Sequence, residues 1–167
     1  MPYTSKAVAN YFLDLAKRDG KLVDPMKLQK LVYFAHGWNL AISGKPLLAD
    51  TVEAWQFGPV IPDLYHEFKH FGRNPVTDWA STLTSSGKSI SITFDSVPES
   101  DANVRALLDR VWQVYGNLSG IELSNRTHDE GSPWDLTWQR AGGRKNVDIE
   151  DAMIRDYFKD KLVAAGE

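Results

Sequence analysis

Between Asp24 and Gly44 the chain is apolar on almost every side of a helix, and that property limits the folds open to it. Asp24 is a good N-cap and Pro25 a good first helical residue, because proline's missing N–H is not needed there. Gly44, followed by Lys45 and Pro46, is a clean stop. Leu28, Leu31, Val32, Ala35, Trp38 and Ile42 recur at helical spacing as one broad face, which Phe34 and Ala41 widen. Met26, Tyr33 and Leu40 add apolar surface on the far side, leaving Gln29, His36, Asn39 and Ser43 as a narrow polar stripe. Such a helix is stable only when other elements wrap it. Residues 25–43 are therefore expected to be the central buried helix, with His36 hydrogen-bonded in the core.

The flanking segments supply the wrapping. Thr4 or Ser5 caps a first helix with Ala7, Val8, Tyr11, Phe12 and Leu15 inward, ended by Asp19-Gly20. Residues 52–57 alternate as a strand, and Pro62 starts a short helix with Leu64, Tyr65 and Phe68 on one side, stopped by Gly72. Residues 73–88 read as loop, and residues 89–95 as a strand with Ile90, Ile92 and Phe94 on one face. The two strands are expected to pair. Val104, Leu107, Leu108, Val111, Trp112 and Tyr115 define an amphipathic helix ending near Gly116. Ser119 and Glu122 have capping-box spacing, and Ser132-Pro133 opens another helix closed by Gly142-Gly143. Asp148 is expected to cap a last helix with Met153, Ile154, Tyr157, Phe158 and Leu162 inward. The expected fold is α+β, a predominantly helical single domain over residues 1–167 with a small antiparallel β element.

Composition narrows the function. With 43% hydrophobic and 25% charged residues the chain is ordinary globular protein, not disordered. It has no cysteine, which removes disulfides, thiol nucleophiles and Cys-ligated metals. A net charge of −3, and no helix with a basic or amide-rich face, make nucleic-acid binding or autoregulation through DNA a minor alternative. The opening residues resemble no signal peptide and no apolar run approaches membrane-spanning length, so a cytoplasmic protein with no membrane partner is expected.

The sharpest chemical motif is His66-Glu67-Phe68-Lys69-His70, an HExxH string. On a helix, histidines four apart share a face and can bind zinc, with the glutamate as general base. Lys69 would set a cation beside that metal, the helix stops at Gly72, and the next histidine is His128. We therefore read two surface histidines flanking an inward Phe68, with a zinc-dependent hydrolase as the weaker alternative and no metal expected. His128-Asp129-Glu130 has no candidate nucleophile beside it and reads as a structural helix end. Gly142-Gly143-Arg144-Lys145 lacks phosphate-loop spacing and reads as a helix C-cap.

Two features are not explained by burial. Lys27 and Lys30 lie in the first turns of the central helix, where the helix dipole disfavours cations. Trp55-Gln56-Phe57-Gly58-Pro59 sets two aromatics ahead of a Gly-Pro turn. Either feature suits a recognition surface or a structural one.

The stretches Lys27-Leu28-Gln29-Lys30-Leu31, Tyr33-Phe34, Gly37-Trp38, Gly44-Lys45-Pro46-Leu47, Glu53-Ala54-Trp55 and Phe57-Gly58-Pro59-Val60 resemble the signature of the Panacea antitoxin domain. This is the SocA-like family that includes phage-associated GepA-like proteins. Leu123-Ser124, Thr127-His128 and Pro133-Trp134 resemble its C-terminal signature. Phe57 stands where the family often has tyrosine, which keeps the aromatic character. The resemblance implies a non-enzymatic antitoxin from a prokaryotic or phage toxin–antitoxin pair, without a cofactor or catalytic constellation. Its partner would be a cognate toxin, bound directly and encoded by the adjacent gene. One branch of the family implies an alternative, an adaptor that presents the toxin to an AAA+ protease. The expected partner contacts are Lys27, Lys30, Trp55, Gln56, Phe57, Gly58, Pro59 and Val60. Leu28, Gln29, Leu31, Tyr33, Phe34, Trp38, His128, Pro133 and Trp134 are expected to maintain the fold.

Overall fold

A computed structural model describes residues 2–165. In chain order the elements are α1 (Ser5–Arg18), α2 (Pro25–Ser43), β1 (Glu53–Trp55), β2 (Gly58–Val60) and α3 (Pro62–Phe68), which tightens into a 3-10 turn at Lys69–Phe71. There follow β3 (Thr82–Ser86), β4 (Ser89–Thr93), α4 (Ala102–Tyr115), α5 (Gly120–Thr127), α6 (Pro133–Ala141), β5 (Val147–Asp148) and α7 (Asp151–Ala165). Predominantly helical α+β is the observed class. None of the described helices is long and apolar enough to cross a membrane.

The central helix begins and ends as its sequence dictates. The Asp24 carboxylate accepts from the Lys27 N–H, and Gly44 closes the helix in the left-handed region at φ 74°. α2 touches α1, α3, α4, α5, α7 and β2, which is why it can be apolar nearly all round. Its widest contact is with α7, where the buried Phe158 ring lies against Gly37 among Tyr33, Phe34 and Trp38. Trp38 donates its indole N–H to the Tyr115 hydroxyl at 2.9 Å, and Tyr115 stacks on Phe34 at 4.5 Å. His36 is fully buried. Its Nδ1 accepts from the Leu48 N–H and its Nε2 bonds Asp151, which fixes the Nε2–H tautomer. Ile42 departs from the expected core face and is exposed, while Leu40 and Ala41 of the same turn are buried, so the covered side of α2 at its end is not the one that carries Ile42.

The strands pair differently from the expectation. β1 forms a tight hairpin with β2, Trp55 opposite Gly58, and β5 adds to the other side of β1 through Glu53 and Asp148. Asp148 is thus a strand residue rather than the cap of the last helix. Pro59 needs no ladder N–H because β2 is an edge of this sheet, whose order is β2-β1-β5. β4 does not join it. It pairs with β3, inside the segment expected to be loop, in a separate two-stranded arm. Asn10 of α1 ties the neck of that arm. Its side-chain amide donates to the Ala80 and Asp95 carbonyls and its oxygen accepts from the Ala80 N–H.

α1, α4, α5 and α6 start on side-chain caps from Thr4, Asp101, Ser119 and Ser132. Gly142 in the left-handed region ends α6, in keeping with the C-cap reading of the Gly-Gly-Arg-Lys stretch. In α7 only Ile154 and Phe158 are fully buried, while Leu162 is exposed.

Candidate partner-binding site

The β1–β2 hairpin is where the two halves of the expected signature meet. Four successive alternate carbonyls along it are held by side chains from three helices. The Trp134 indole N–H of α6 donates to the Trp55 carbonyl at 2.6 Å. The Ser124 hydroxyl of α5 donates to the Phe57 carbonyl at 3.2 Å. The Lys30 ammonium of α2 donates to the Pro59 carbonyl at 2.9 Å. Gln29 then grips Ile61 with both ends of its amide: Nε2 donates to the carbonyl at 2.9 Å and Oε1 accepts from the N–H at 3.0 Å. In a buried setting each bond satisfies a group that would otherwise be costly to desolvate.

Behind the hairpin the packing is close. Gly58 adopts φ 123°, a left-handed backbone that side chains rarely take. A Cβ there would lie 3.0 Å from His128 Nε2 and 3.1 Å from both Lys30 Nζ and Thr127 Oγ1. His128 stacks on Trp134 at 4.3 Å, and its buried Nε2 has no hydrogen-bond partner among the described residues. Trp134 in turn stacks on Trp138 at 5.8 Å. Pro133 is buried at the first position of α6, whose Ser132 cap also donates to the Thr127 carbonyl.

The expected contact set therefore divides. Lys27, Lys30, Gly58, Pro59 and Val60 are buried, and the Lys27 Nζ donates to the Gly116 carbonyl at 2.6 Å and lies over the Trp112 ring. Their placement favours the structural side of the two readings open for the lysines: each reaches past the helix start to a backbone carbonyl distant in sequence. What remains exposed is the hairpin tip. Phe57 is 69% exposed, Gln56 is exposed, and half-buried Trp55 meets exposed Tyr65 edge-to-face at 4.8 Å. Sequence reasoning missed Tyr65, which it assigned to the inward side of its helix.

Burial leaves its mark on the two lysines. Desolvation pulls the Lys30 pKa down to about 8, and Lys27 shifts in the same direction, chiefly through burial and then through nearby Lys21. The Lys30 shift has a definite consequence for stability. Between about pH 8 and the unfolded value of 10.5, the unfolded chain holds a proton that the folded chain has released, so stability rises with pH through that window. Below pH 8 both states are protonated and the contribution is flat. Relative to Lys30→Met, which cannot titrate, the wild-type protein is expected to gain about 3 kcal/mol between pH 7.5 and 10.5. Urea unfolding of both proteins across that range measures it, and parallel pH profiles would refute it.

The HExxH string is dismantled by the fold. His66 lies on α3 against Tyr65, whereas His70 falls in the 3-10 turn, its ring tilted against Phe71 at 4.2 Å. Glu67 turns away, accepting from the Ser81 N–H and pairing with Lys6 at 3.4 Å. Phe68 is buried, as expected. Among the described residues no group of three or more His, Asp or Glu side chains is placed to hold a metal.

The chain matches the family described as "Antitoxin SocA-like, Panacea domain" over residues 28–135, which spans α2 through the start of α6. It is 32% identical over 163 residues to "Antitoxin SocA" of Caulobacter vibrioides (strain NA1000 / CB15N), covering 96% of this chain and 85% of that relative. No solved structure matches it. The matched span contains the hairpin together with Gln29, Lys30, Ser124 and Trp134, and the chain belongs to the SocA-like Panacea antitoxin family.

Proposed function

We propose that this protein is a non-enzymatic antitoxin that neutralises its cognate toxin by direct binding, and that the hairpin tip is the contact. One observation carries the reading. The side chain of Phe57 stands in solvent while the backbone beneath it is fixed at Trp55, Phe57, Pro59 and Ile61. An exposed apolar ring on a rigid support loses little conformational entropy on binding, which favours an anchor role. Gln56, Trp55 and Tyr65 form the surround. The buried members of the signature act one layer below, by setting the tip's position.

Phe57→Asp separates contact from fold, since the side chain packs on nothing that the protein needs. Its thermal unfolding is expected to match wild type, while its Kd for the toxin encoded by the adjacent gene rises about 30-fold or more, in the range of an interface anchor. Growth rescue on co-expression falls accordingly. Wild-type affinity in a folded Phe57→Asp variant would remove the tip from the interface. Toxin abundance in the same cells distinguishes occlusion, which leaves the toxin level unchanged, from delivery to an AAA+ protease, which depletes it.

A further inference from the structure

α2 and α4 run antiparallel. The start of α2 meets the end of α4 through Lys27 and the Gly116 carbonyl, and the end of α2 faces the first turns of α4. Between those latter ends lies an open groove of about 710 Å3. Leu47 is buried at its base, half-buried Val104 and Leu107 form the α4 wall, and Ile42, 61% exposed, stands on the α2 wall. Ile42 thus carries the apolar repeat of α2 onto this wall instead of into the core. Val114 is also exposed and lies two turns beyond Leu107 on the same face of α4, so the apolar strip continues along the helix for about 10 Å.

The charges around this strip are of one sign. The chain carries a net charge of −3, yet the unpaired charged residues lining the groove are Lys45 and Arg110. Both are exposed, and neither forms a salt bridge among the described residues. Arg110 touches only the Gln113 amide. The one carboxylate in the lining, Asp101, is already committed. Its Oδ2 accepts from the Tyr3 hydroxyl at 2.5 Å, and its Oδ1 accepts from the Val104 N–H as the cap of α4. Arg110 stands one turn from both Leu107 and Val114, and Lys45 follows the Gly44 cap at the end of α2. A carboxylate arriving here meets two cations, and a cation arriving here meets no acidic group free to receive it.

We propose that this surface docks an amphipathic helix of a protein partner, its apolar residues on Ile42, Leu107 and Val114 and its carboxylates on Lys45 and Arg110. The strip is straight because α4 is, and a groove between two neighbouring helices is the usual seat of a third. Apolar residues at i, i+4 and i+7 of an incoming helix span about 10 Å, the reach from Leu107 to Val114. Charge of one sign around an apolar strip selects the partner's sign and speeds its arrival. The partner is other than the toxin. Ile42 lies just over three turns beyond Lys30 along α2, about 18 Å from the turn that supports the hairpin. That assignment rests on the toxin contact proposed at the hairpin tip, and the separation leaves room for both occupants at once.

Fluorescence anisotropy with two labelled synthetic helices tests the groove. Both carry leucine at i, i+4 and i+7, with glutamate on the flanks of one and lysine on the flanks of the other. The acidic peptide is expected to bind the intact chain at least about tenfold more tightly than the basic one, and to weaken as salt is raised. Ile42→Asp should weaken it at least about tenfold with unchanged thermal unfolding, because the side chain is exposed. Lys45→Glu combined with Arg110→Glu should reverse the preference, so that the basic peptide becomes the better ligand. Equal affinity of the two peptides for the wild-type chain, binding of neither, or a folded double variant that keeps the wild-type preference each overturns the proposal. Phe57→Asp should leave peptide binding unchanged, so a failure of the toxin contact and a failure of the groove are read separately. If the toxin displaces the acidic peptide and Ile42→Asp loses toxin affinity, the groove belongs to the toxin and the proposal falls. It falls equally if sedimentation shows a wild-type dimer that Ile42→Asp dissociates, which assigns the groove to a second copy.

Discussion

Gly37→Ala is expected to destabilise the protein by about 3 kcal/mol, although alanine is the better helix former by up to about 1 kcal/mol. Gly37 lies inside α2 with ordinary helical geometry, so backbone strain is not the cause. Space is. A Cβ there would sit 2.3, 2.5 and 2.7 Å from three carbons of the Phe158 ring, well inside contact distance. The ring has little room to retreat, because Tyr33, Phe34, Trp38 and Tyr157 surround it within 5.1 to 6.1 Å between centroids. Relief requires α7 to move off α2, at the widest helix contact in the fold. Urea denaturation measures the loss. A double-mutant cycle with Phe158→Leu identifies its origin: the smaller side chain should recover part of the Gly37→Ala penalty, and strict additivity would show that the clash is not the cause.

The second large effect is expected at Gln29. Gln29→Leu keeps the volume roughly but strands the N–H of Ile61, buried at the point where the chain leaves the hairpin for α3, and takes one of two donors from its carbonyl, which still accepts from the Tyr65 N–H. At about 1–3 kcal/mol for an unsatisfied buried group, the expected loss is about 1–3 kcal/mol. Gln29→Glu distinguishes the two halves of the grip. It keeps an acceptor for the Ile61 N–H and turns an oxygen toward the Ile61 carbonyl, so it should also destabilise. Amide exchange at Ile61 is the local readout. It should accelerate in Gln29→Leu and stay slow in Gln29→Glu, and equal protection in both variants would show that the amide clamp does not hold the hairpin.

The parts of the fold legible in the sequence were those decided locally. Residues around Asp24 and Gly44 carry their own caps, so the ends of α2 follow from side chains within a turn of each boundary. The same holds for Thr4, Ser119 and Ser132. What a residue meets far along the chain was not legible. Lys30 and Lys27 look misplaced beside a helix N-terminus because the carbonyls they serve, at Pro59 and Gly116, belong to other elements. Their long stems carry the ammonium to those oxygens, and the dipole argument alone cannot see that. Pairing of strands failed for the same reason. The 89–95 strand was recognised by its alternation, but its partner TLTSS is short and mostly hydroxyl, and reads as loop. Ile42 and Tyr65 show the limit of periodicity, which identifies a face but not where the neighbouring elements stop covering it. At the site, the two aromatics ahead of a Gly-Pro turn mark the tip in the sequence, whereas the separation into exposed tip and buried support depends on contacts with α2, α5 and α6 that lie far along the chain.

Asn10 gives the arm a further property. By bonding Ala80 and Asp95 together on α1, it makes the intervening residues a closed excursion whose two ends are fixed regardless of what lies between them. Lengthening such an excursion adds only about 0.6 kcal/mol for each doubling, because closure entropy grows with the logarithm of length. The core cannot distinguish one sequence from another between those two anchors. The arm is therefore free to diverge, lengthen or exchange its apolar face for another while the central helix and its hairpin stay the same. The neck at Asn10 is the seam along which change is cheapest.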